Sequence, residues 1–217
     1  MASSNGGGVL SSGNFGEVRV ETVTKVYEKE DKCQTVLQDC SLYVNRGKLT
    51  VLMGPSGCGK TVLVNLIAGY EKPTSGHIYI DDVPVTGPGP DRLVVFQETA
   101  LFPWMTVYSN VIFGCRVQGL NKGELKERAE LILRKVGLYE FRDKYPSQLS
   151  GGMQRRAELA RAMINDPKIM ILDEPFRGLD AMTRQLMQEF YVALFEEVGR
   201  TNFFITHEID EAIFLAD

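Results

Sequence analysis

The chain is 217 residues long and 44% hydrophobic, with 24 Lys and Arg against 28 Asp and Glu for a net charge of −4. That length can bury the core of one α/β domain, and the acidic balance argues against a nucleic-acid binder, which would carry a basic excess or patch. Cys33, Cys40, Cys58 and Cys115 show no C-x-x-C pairing and no nearby His, so neither a zinc site nor a disulfide framework is expected and a reducing compartment fits.

Residues 1–16 are rich in Gly, Ser and Asn and read as a disordered tail. No run approaches the ~18 apolar residues that cross a bilayer, and no hydrophobic signal segment opens the chain. Val18 to Val23 alternate apolar and polar as a half-buried strand does. A second strand is expected over Cys40–Val44, turning at Asn45-Arg46-Gly47. Leu49–Met53 is a short apolar run that feeds Gly54-Pro55-Ser56-Gly57-Cys58-Gly59-Lys60-Thr61, and Val62–Ala68 reads as the buried helix after it. Strand, glycine loop and helix is the setting a phosphate-binding loop of the form G-x-x-x-x-G-K-[ST] demands. Its backbone N–H groups can cradle phosphate oxygens, Lys60 can reach the terminal phosphates, and Thr61 can offer a hydroxyl to Mg²⁺.

Ile78–Ile80 and Leu93–Phe96 read as further strands, separated by Gly87-Pro88-Gly89-Pro90, which forbids regular structure. From Gln97 to Ala162 the chain is expected to be largely helical. Leu125, Ala129, Ile132 and Val136 repeat at helical spacing, and Gly137 stands as a stop. The triplet Arg155, Arg156 and Arg161 reads as a solvated, salt-bridged helix face. Ile169–Leu172 is an apolar strand ending in Asp173-Glu174-Pro175, and Asn202–Thr206 a last strand that delivers His207. Functional residues thus gather at the carboxyl ends of strands, where open α/β sheets place ligands.

Leu149-Ser150-Gly151-Gly152-Met153-Gln154 adds a small, hydroxyl-bearing turn that opens a helix, a second candidate anion site. Together with the phosphate loop it resembles the ATP-binding cassette (ABC) family, whose signature is L-S-G-G-Q or a close variant. The resemblance covers nearly everything from Val18 to Asp217. It implies a P-loop NTPase (RecA-like) core sheet, an antiparallel β portion and an inserted helical subdomain over about residues 98–165, the whole domain spanning 17–217. Members normally continue further past the histidine that matches His207, so a truncated carboxyl end is expected.

The resemblance also implies roles. ATP and Mg²⁺ are the expected cofactors, with Gly54, Ser56, Gly57, Cys58, Gly59, Lys60 and Thr61 around the phosphates. Asp173 is placed like the acid that holds Mg²⁺ with Thr61, and Glu174 like the general base that polarises the attacking water. Gln97 resembles the Q-loop glutamine, able to touch Mg²⁺ or the water without fixing a charge. His207 resembles the H-loop histidine on the terminal phosphate. Tyr27 falls where the family has an aromatic that stacks on adenine. Ser150, Gly151, Gly152 and Gln154 resemble the signature that faces the other subunit's ATP, and Asp180 the D-loop aspartate at that interface. Arg177-Gly178-Leu179-Asp180 departs from the usual Ser- or Gly-Ala-Leu-Asp by its bulky Arg177. His77 has no such context and is given no role.

Leu101-Phe102-Pro103-Trp104-Met105-Thr106-Val107-Tyr108 looks like the L-F-P-W-x-T-V pattern of importer ATPases. The runs Leu179–Arg184 and Thr206–Asp217 are similar to the nitrate, sulfonate, taurine and bicarbonate importer group. This implies an ATP-hydrolysing subunit that lies peripherally on the cytoplasmic face of the inner membrane and takes part in the uptake of a small anion. Its implied partners are a second ATPase subunit, identical or a close paralogue, permease subunits and, indirectly, a solute-binding protein. The alternatives are a non-transport ABC ATPase, which would bring coiled-coil, zinc or tandem insertions, and a regulatory cassette that binds ATP without hydrolysis. A GTPase is disfavoured, since no N-K-x-D base-reading motif occurs.

Overall fold

The computed structural model describes residues 15–29 and 32–215. Residues 1–14 of the expected tail lie outside the described residues. Gly16 is placed, its N–H donating to the Lys168 carbonyl at 3.3 Å. The chain divides into two compact units. One comprises Phe15–Val94, Lys168–Glu174 and the segment from Gly199; the other comprises Val95–Pro167 and Pro175–Val198.

The first unit holds two sheets. β1 (Val18–Lys29), β2 (Lys32–Val44), β4 (Ser75–Ile80) and β5 (Val83–Pro84) form an antiparallel sheet in the order β2-β1-β4-β5. The parallel sheet runs β3-β8-β7-β6, with β3 (Leu49–Met53), β8 (Thr201–Thr206), β7 (Ile169–Asp173) and β6 (Arg92–Val95). Its central strands β7 and β8 are buried at every position, as expected where both faces of a parallel sheet are covered. Val18, Val20, Val23, Leu66, Ile67, Ile171, Phe203 and Ile205 belong to one apolar core with α1 (Lys60–Ala68).

β1 and β2 run further than their hydrophobic pattern predicts, forming a long hairpin out to Lys29↔Lys32. The reason is physical. Most of β2 is exposed or half-exposed, so it carries little amphipathic alternation, and backbone pairing with β1 holds it instead. The pairing shifts register between Val20 and Val23, where Thr22 adopts a left-handed φ of 44°.

The second unit is built on α2 (Val107–Val117), α3 (Lys122–Lys135), α4 (Gly151–Ile164) and α5 (Ala181–Val198). α2 and α3 pack on α4 and on each other, and α5 packs on α4. The stretch from Gln97 to Ala162 is largely helical as expected, with two interruptions. Residues 96–106 form an irregular loop, and residues 136–150 are turns with two short 3₁₀ segments, Tyr139–Phe141 and Pro146–Gln148. Pro103 and the turn-forming residues near it outweigh the apolar content of Leu101–Tyr108. Gly137 ends α3 as expected, in the left-handed region at φ 69°. α5 and the short α6 (Ile209–Leu215) emerge only in the structure. Among the described residues no helix is long and apolar enough to cross a membrane.

Candidate functional site

In the first unit, β3 delivers the loop of residues 54–59 straight into α1. Gly59 caps α1 at φ 96°, with no capping side chain. A Cβ there would meet Leu37 Cδ2 at 2.9 Å and the Val36 carbonyl oxygen at 3.1 Å, so only glycine fits both the turn and the space. With no side-chain cap, the N–H groups that open α1 can receive an anion, and the helix dipole favours one. Lys60 is buried, and its Nζ donates to the carbonyls of Gly54 (2.7 Å) and Pro55 (2.9 Å). Ser56, Gly57 and Cys58 are exposed.

The carboxyl ends of β7 and β8 bring the other groups to this loop. Asp173 is only 6% exposed and accepts a hydrogen bond from the Thr61 hydroxyl. Burial pushes its carboxyl above the usual value, the neighbouring Glu174 adds to the rise, and Thr61 and Lys60 oppose it. Glu174 Oε1 lies 3.9 Å from Lys60 Nζ, and its Oε2 lies 3.1 Å from His207 Nδ1. An Nδ1–H directed at Glu174 leaves Nε2 of His207 for a second partner. Glu174 also has a left-handed φ of 45°, costly for a residue with a Cβ, and its N–H donates to the Ile205 carbonyl at 2.9 Å. That backbone bond fixes the bend that turns Glu174 away from the run of β7. Lys60, Thr61, Asp173, Glu174 and His207 are thus brought together in one unit, a set able to hold phosphate, a hard cation and a polarised water.

Tyr27 lies on β1 with its ring partly exposed. Its hydroxyl donates to Glu71 Oε2 at 2.6 Å, and Lys25 Nζ stands 4.8 Å from the ring centroid. Partial burial, with help from Glu71, pushes its phenol up to about 12.

The second unit carries Gln97, Ser150–Gln154 and Asp180. Ser150 caps α4, its Oγ accepting from the Met153 N–H at 3.3 Å, which leaves the hydroxyl proton free to donate elsewhere. Gly152 is held by space, because a Cβ would meet Thr183 Cγ2 at 2.9 Å. Gln154 braces the turn, its Nε2 donating to the carbonyls of Pro146 (2.9 Å) and Leu149 (3.3 Å). Asp180 accepts from the Thr183 N–H at 3.0 Å, and its hydrogen bonds with Thr183 hold its carboxyl low. The departure at Arg177 has a structural counterpart: its Nη1 donates to Gln97 Oε1 at 3.2 Å.

One expectation is overturned here. Arg155 is buried rather than solvated, and it forms an ion pair with buried Glu158 at 2.6 Å. Burial raises the Glu158 carboxyl against the attraction of Arg155 and lowers Arg155 in turn. Spacing of i and i+3 signals such a pair on any helix, but nothing local in the sequence says that it is buried. Asn110 is a second residue that sequence reasoning passed over. Fully buried, it accepts from the Phe102 N–H and donates to the carbonyls of Phe102, Met105 and Thr106.

Comparison with known proteins follows the same lines. The ABC transporter family profile matches residues 37–177. An uncharacterised ABC transporter ATP-binding protein of Methanocaldococcus jannaschii is 45% identical over 201 residues, covering 93% of this chain and 75% of that protein. The taurine import ATP-binding protein TauB of Pseudomonas aeruginosa is 44% identical over 196 residues, covering 90% and 74%. Among solved structures, the dimeric ATP-binding cassette MJ0796 in a post-hydrolysis state with ADP and Pi superimposes with a TM-score of 0.79 at 32% identity, covering 91% of this chain and 90% of that one. The cassette cbiO1 of Clostridium perfringens, part of the transporter complex cbiONQ, gives 0.81 at 30% identity, covering 91% and 81%.

Proposed function

This chain belongs to the ABC transporter family, and we propose that it is the ATP-hydrolysing subunit of an importer whose solute is a small anion of the sulfonate, nitrate or bicarbonate kind. The observation that carries the reading is the chain of contacts from Lys60 through Glu174 to His207, at 3.9 and 3.1 Å, beside a glycine loop that opens α1. The loop amides and Lys60 bind and orient the triphosphate. Glu174, flanked by a cation and an imidazole, polarises the attacking water and takes its proton, while His207, oriented by its Nδ1 contact to Glu174, contacts the terminal phosphate. Gln97 orients the same water, and Tyr27 stacks on the adenine. Magnesium fits the donor set, because the Thr61 hydroxyl and the Asp173 carboxylate are hard oxygens already hydrogen-bonded to each other. When bound, the ion supplies neutralisation of charge on the β- and γ-phosphate oxygens.

The signature turn completes the reading. Ser150, Gly151 and Gly152 present a hydroxyl and helix-opening amides, with Gln154 shaping the turn behind them, and a two-fold dimer uses this surface twice, once for each ATP. Asp180 lies at the same interface. The similar proteins support the partners: MJ0796 is dimeric, cbiO1 is part of a transporter complex, and TauB is a taurine import ATP-binding protein. The subunit accordingly sits on the cytoplasmic face of the membrane, under permease subunits that receive solute from a binding protein.

A phosphate-release assay with Mg·ATP tests the shared site. Lys60→Ala and Ser150→Arg chains should each be inactive alone, and mixing them should restore activity through one intact composite site per heterodimer. A mixture as inactive as its parts would overturn the dimer.

A further inference from the structure

Arg155, Glu158 and Arg161 stand at i, i+3 and i+6 on α4, and beyond one another the groups they hydrogen-bond are main chain. Arg155 Nη1 donates to the Phe96 carbonyl at 2.8 Å and Nη2 to the Gln97 carbonyl at 2.6 Å. Glu158 holds Arg155 Nη1 with one oxygen at 2.6 Å, and with the other accepts from the Ala100 N–H at 2.5 Å. Arg161 Nη1 donates to the Ala100 carbonyl at 2.8 Å. Arg155 is 4% exposed and Glu158 3%, so the pair works away from competing water.

Filling space does not explain this arrangement, since apolar residues of similar volume usually pack a core at no loss of stability. Its geometry does something an apolar pair could not. The carbonyls of Phe96 and Gln97 belong to the two peptide units that flank the Gln97 α-carbon. A planar guanidinium that grips both fixes φ and ψ between them, and with those angles the direction of the Gln97 side chain. Gln97 Oε1 already meets Arg177. The clamp is carried by the helix that Ser150 opens, only five residues before Arg155, and a helix moves as a stiff rod over that distance.

We propose that Arg155, braced by Glu158, is a positioning residue for Gln97, so that the aim of the Gln97 side chain follows any movement of the signature helix. The inference rests on the ATPase reading above. An ATP phosphate drawn to Ser150 tilts α4, and Arg155 carries the tilt to the peptide units on either side of Gln97. Hydrolysis is thereby tied to engagement of the signature turn, with no new contact to the nucleotide.

Arg155→Lys keeps the charge but replaces the two-pronged fork with a point donor. The full chain is measured for ATP affinity by equilibrium dialysis, for turnover with Mg·ATP, and for the ATP-induced change in emission of Trp104. That residue is the single tryptophan, seven residues along the same loop. Affinity should hold within about twofold while turnover falls about 10- to 100-fold, as for a misplaced reacting group. The Trp104 response should fall by at least about half, because the loop no longer follows the helix. In a Gln97→Ala background the same substitution should change turnover by less than about twofold, since no side chain is left to aim. Glu158→Gln keeps an acceptor for the Ala100 N–H and should give the same pattern, which serves if the lysine variant folds poorly. Losses that multiply in the double variant, or an unaltered Trp104 response, would overturn the inference. Absence of ATP binding by the unsubstituted chain would instead overturn the ATPase reading itself, and the inference with it.

Discussion

The loop between β3 and α1 (residues 54–59) and the segment between β6 and α2 (residues 96–106) both follow a strand, yet they settle their backbone polar groups by opposite means. The first is nearly all glycine and small residues, and Gly59 caps α1 without a side chain, so amides stay available for an anion. The second has its main-chain groups taken by distant side chains: Arg155 and Glu158 at Phe96, Gln97 and Ala100, Arg161 at Ala100, and Asn110 at Phe102, Met105 and Thr106. A loop that binds a ligand must leave its donors open. A loop that transmits a position must have them held. Damage should therefore act on chemistry in the first region and on stability or aim in the second.

The largest effect is expected from the charged group that faces the first loop. Glu174→Gln removes the proton acceptor proposed above and leaves Lys60 with its two carbonyl partners. Turnover should fall by about 10²–10⁴-fold, as for loss of a general base, while ATP affinity is kept and an ATP-bound dimer accumulates. Phosphate release and size-exclusion chromatography with ATP check both halves, and near-normal turnover would sink the assignment.

Next in size is Asn110→Ala, which acts on the second loop. It removes the side-chain acceptor of the Phe102 N–H and the donor to the Met105 carbonyl, while the carbonyls of Phe102 and Thr106 keep the N–H groups of Met105 and residue 110. The cost should be about 3 kcal/mol of stability, read as a lower denaturation midpoint with an unchanged slope. Ser56→Ala in the exposed phosphate loop should stay within about 0.5 kcal/mol. If the two substitutions cost the same, the contrast between the loops is wrong.

How much of this could be read beforehand follows from the same contrast. The phosphate loop, Asp173-Glu174 and the signature turn are contiguous in the chain, and their chemistry follows from glycine geometry and from polar residues at the ends of apolar strands. β3 and the ends of β7 and β8 were legible for that reason. The clamp on residues 96–100 joins positions about 60 apart in sequence, and a buried Arg–Glu pair is spelled like an exposed one. The left-handed bend at Glu174 likewise depends on its bond to Ile205, set by sheet register rather than by local sequence. The part of β2 before Cys40 escaped because its exposed residues give no alternation to detect.

A smaller effect sharpens what an open site costs. Burial holds the Asp173 carboxyl above its ordinary value, so the folded chain keeps this proton more tightly than the unfolded chain does. Its favourable contribution is therefore complete below the unfolded value and is lost as pH rises through the folded one. At neutral pH the charged group is a net cost, and Asp173→Asn should stabilise the metal-free chain by about 1 kcal/mol. That gain should vanish as the pH falls below the ordinary carboxyl value of 3.8. Mg²⁺-supported hydrolysis should be lost in the same variant. A stability gain that does not change with pH would show that Asp173 is not the group responsible.

The smallest effect on the free chain is expected at Trp104, and that smallness is the point. The apolar run Leu101–Tyr108 divides in the structure. Leu101 and Val107 are buried, whereas Trp104 is 69% exposed, its ring 5.6 Å from that of Phe102 centroid to centroid. The loop is pinned from beneath by Asn110, so truncating Trp104 removes little that folding requires. Trp104→Ala should change the stability of the isolated chain by no more than about 0.5 kcal/mol and leave ATP binding intact. A large aromatic held out on a braced loop suits contact with the permease subunits proposed above. The same substitution should therefore weaken co-purification with the permease subunits and lower solute uptake in the assembled transporter. Uptake equal to that of the unsubstituted complex would move the coupling surface elsewhere. Unfolding of the free chain would make Trp104 part of the core, against its exposure.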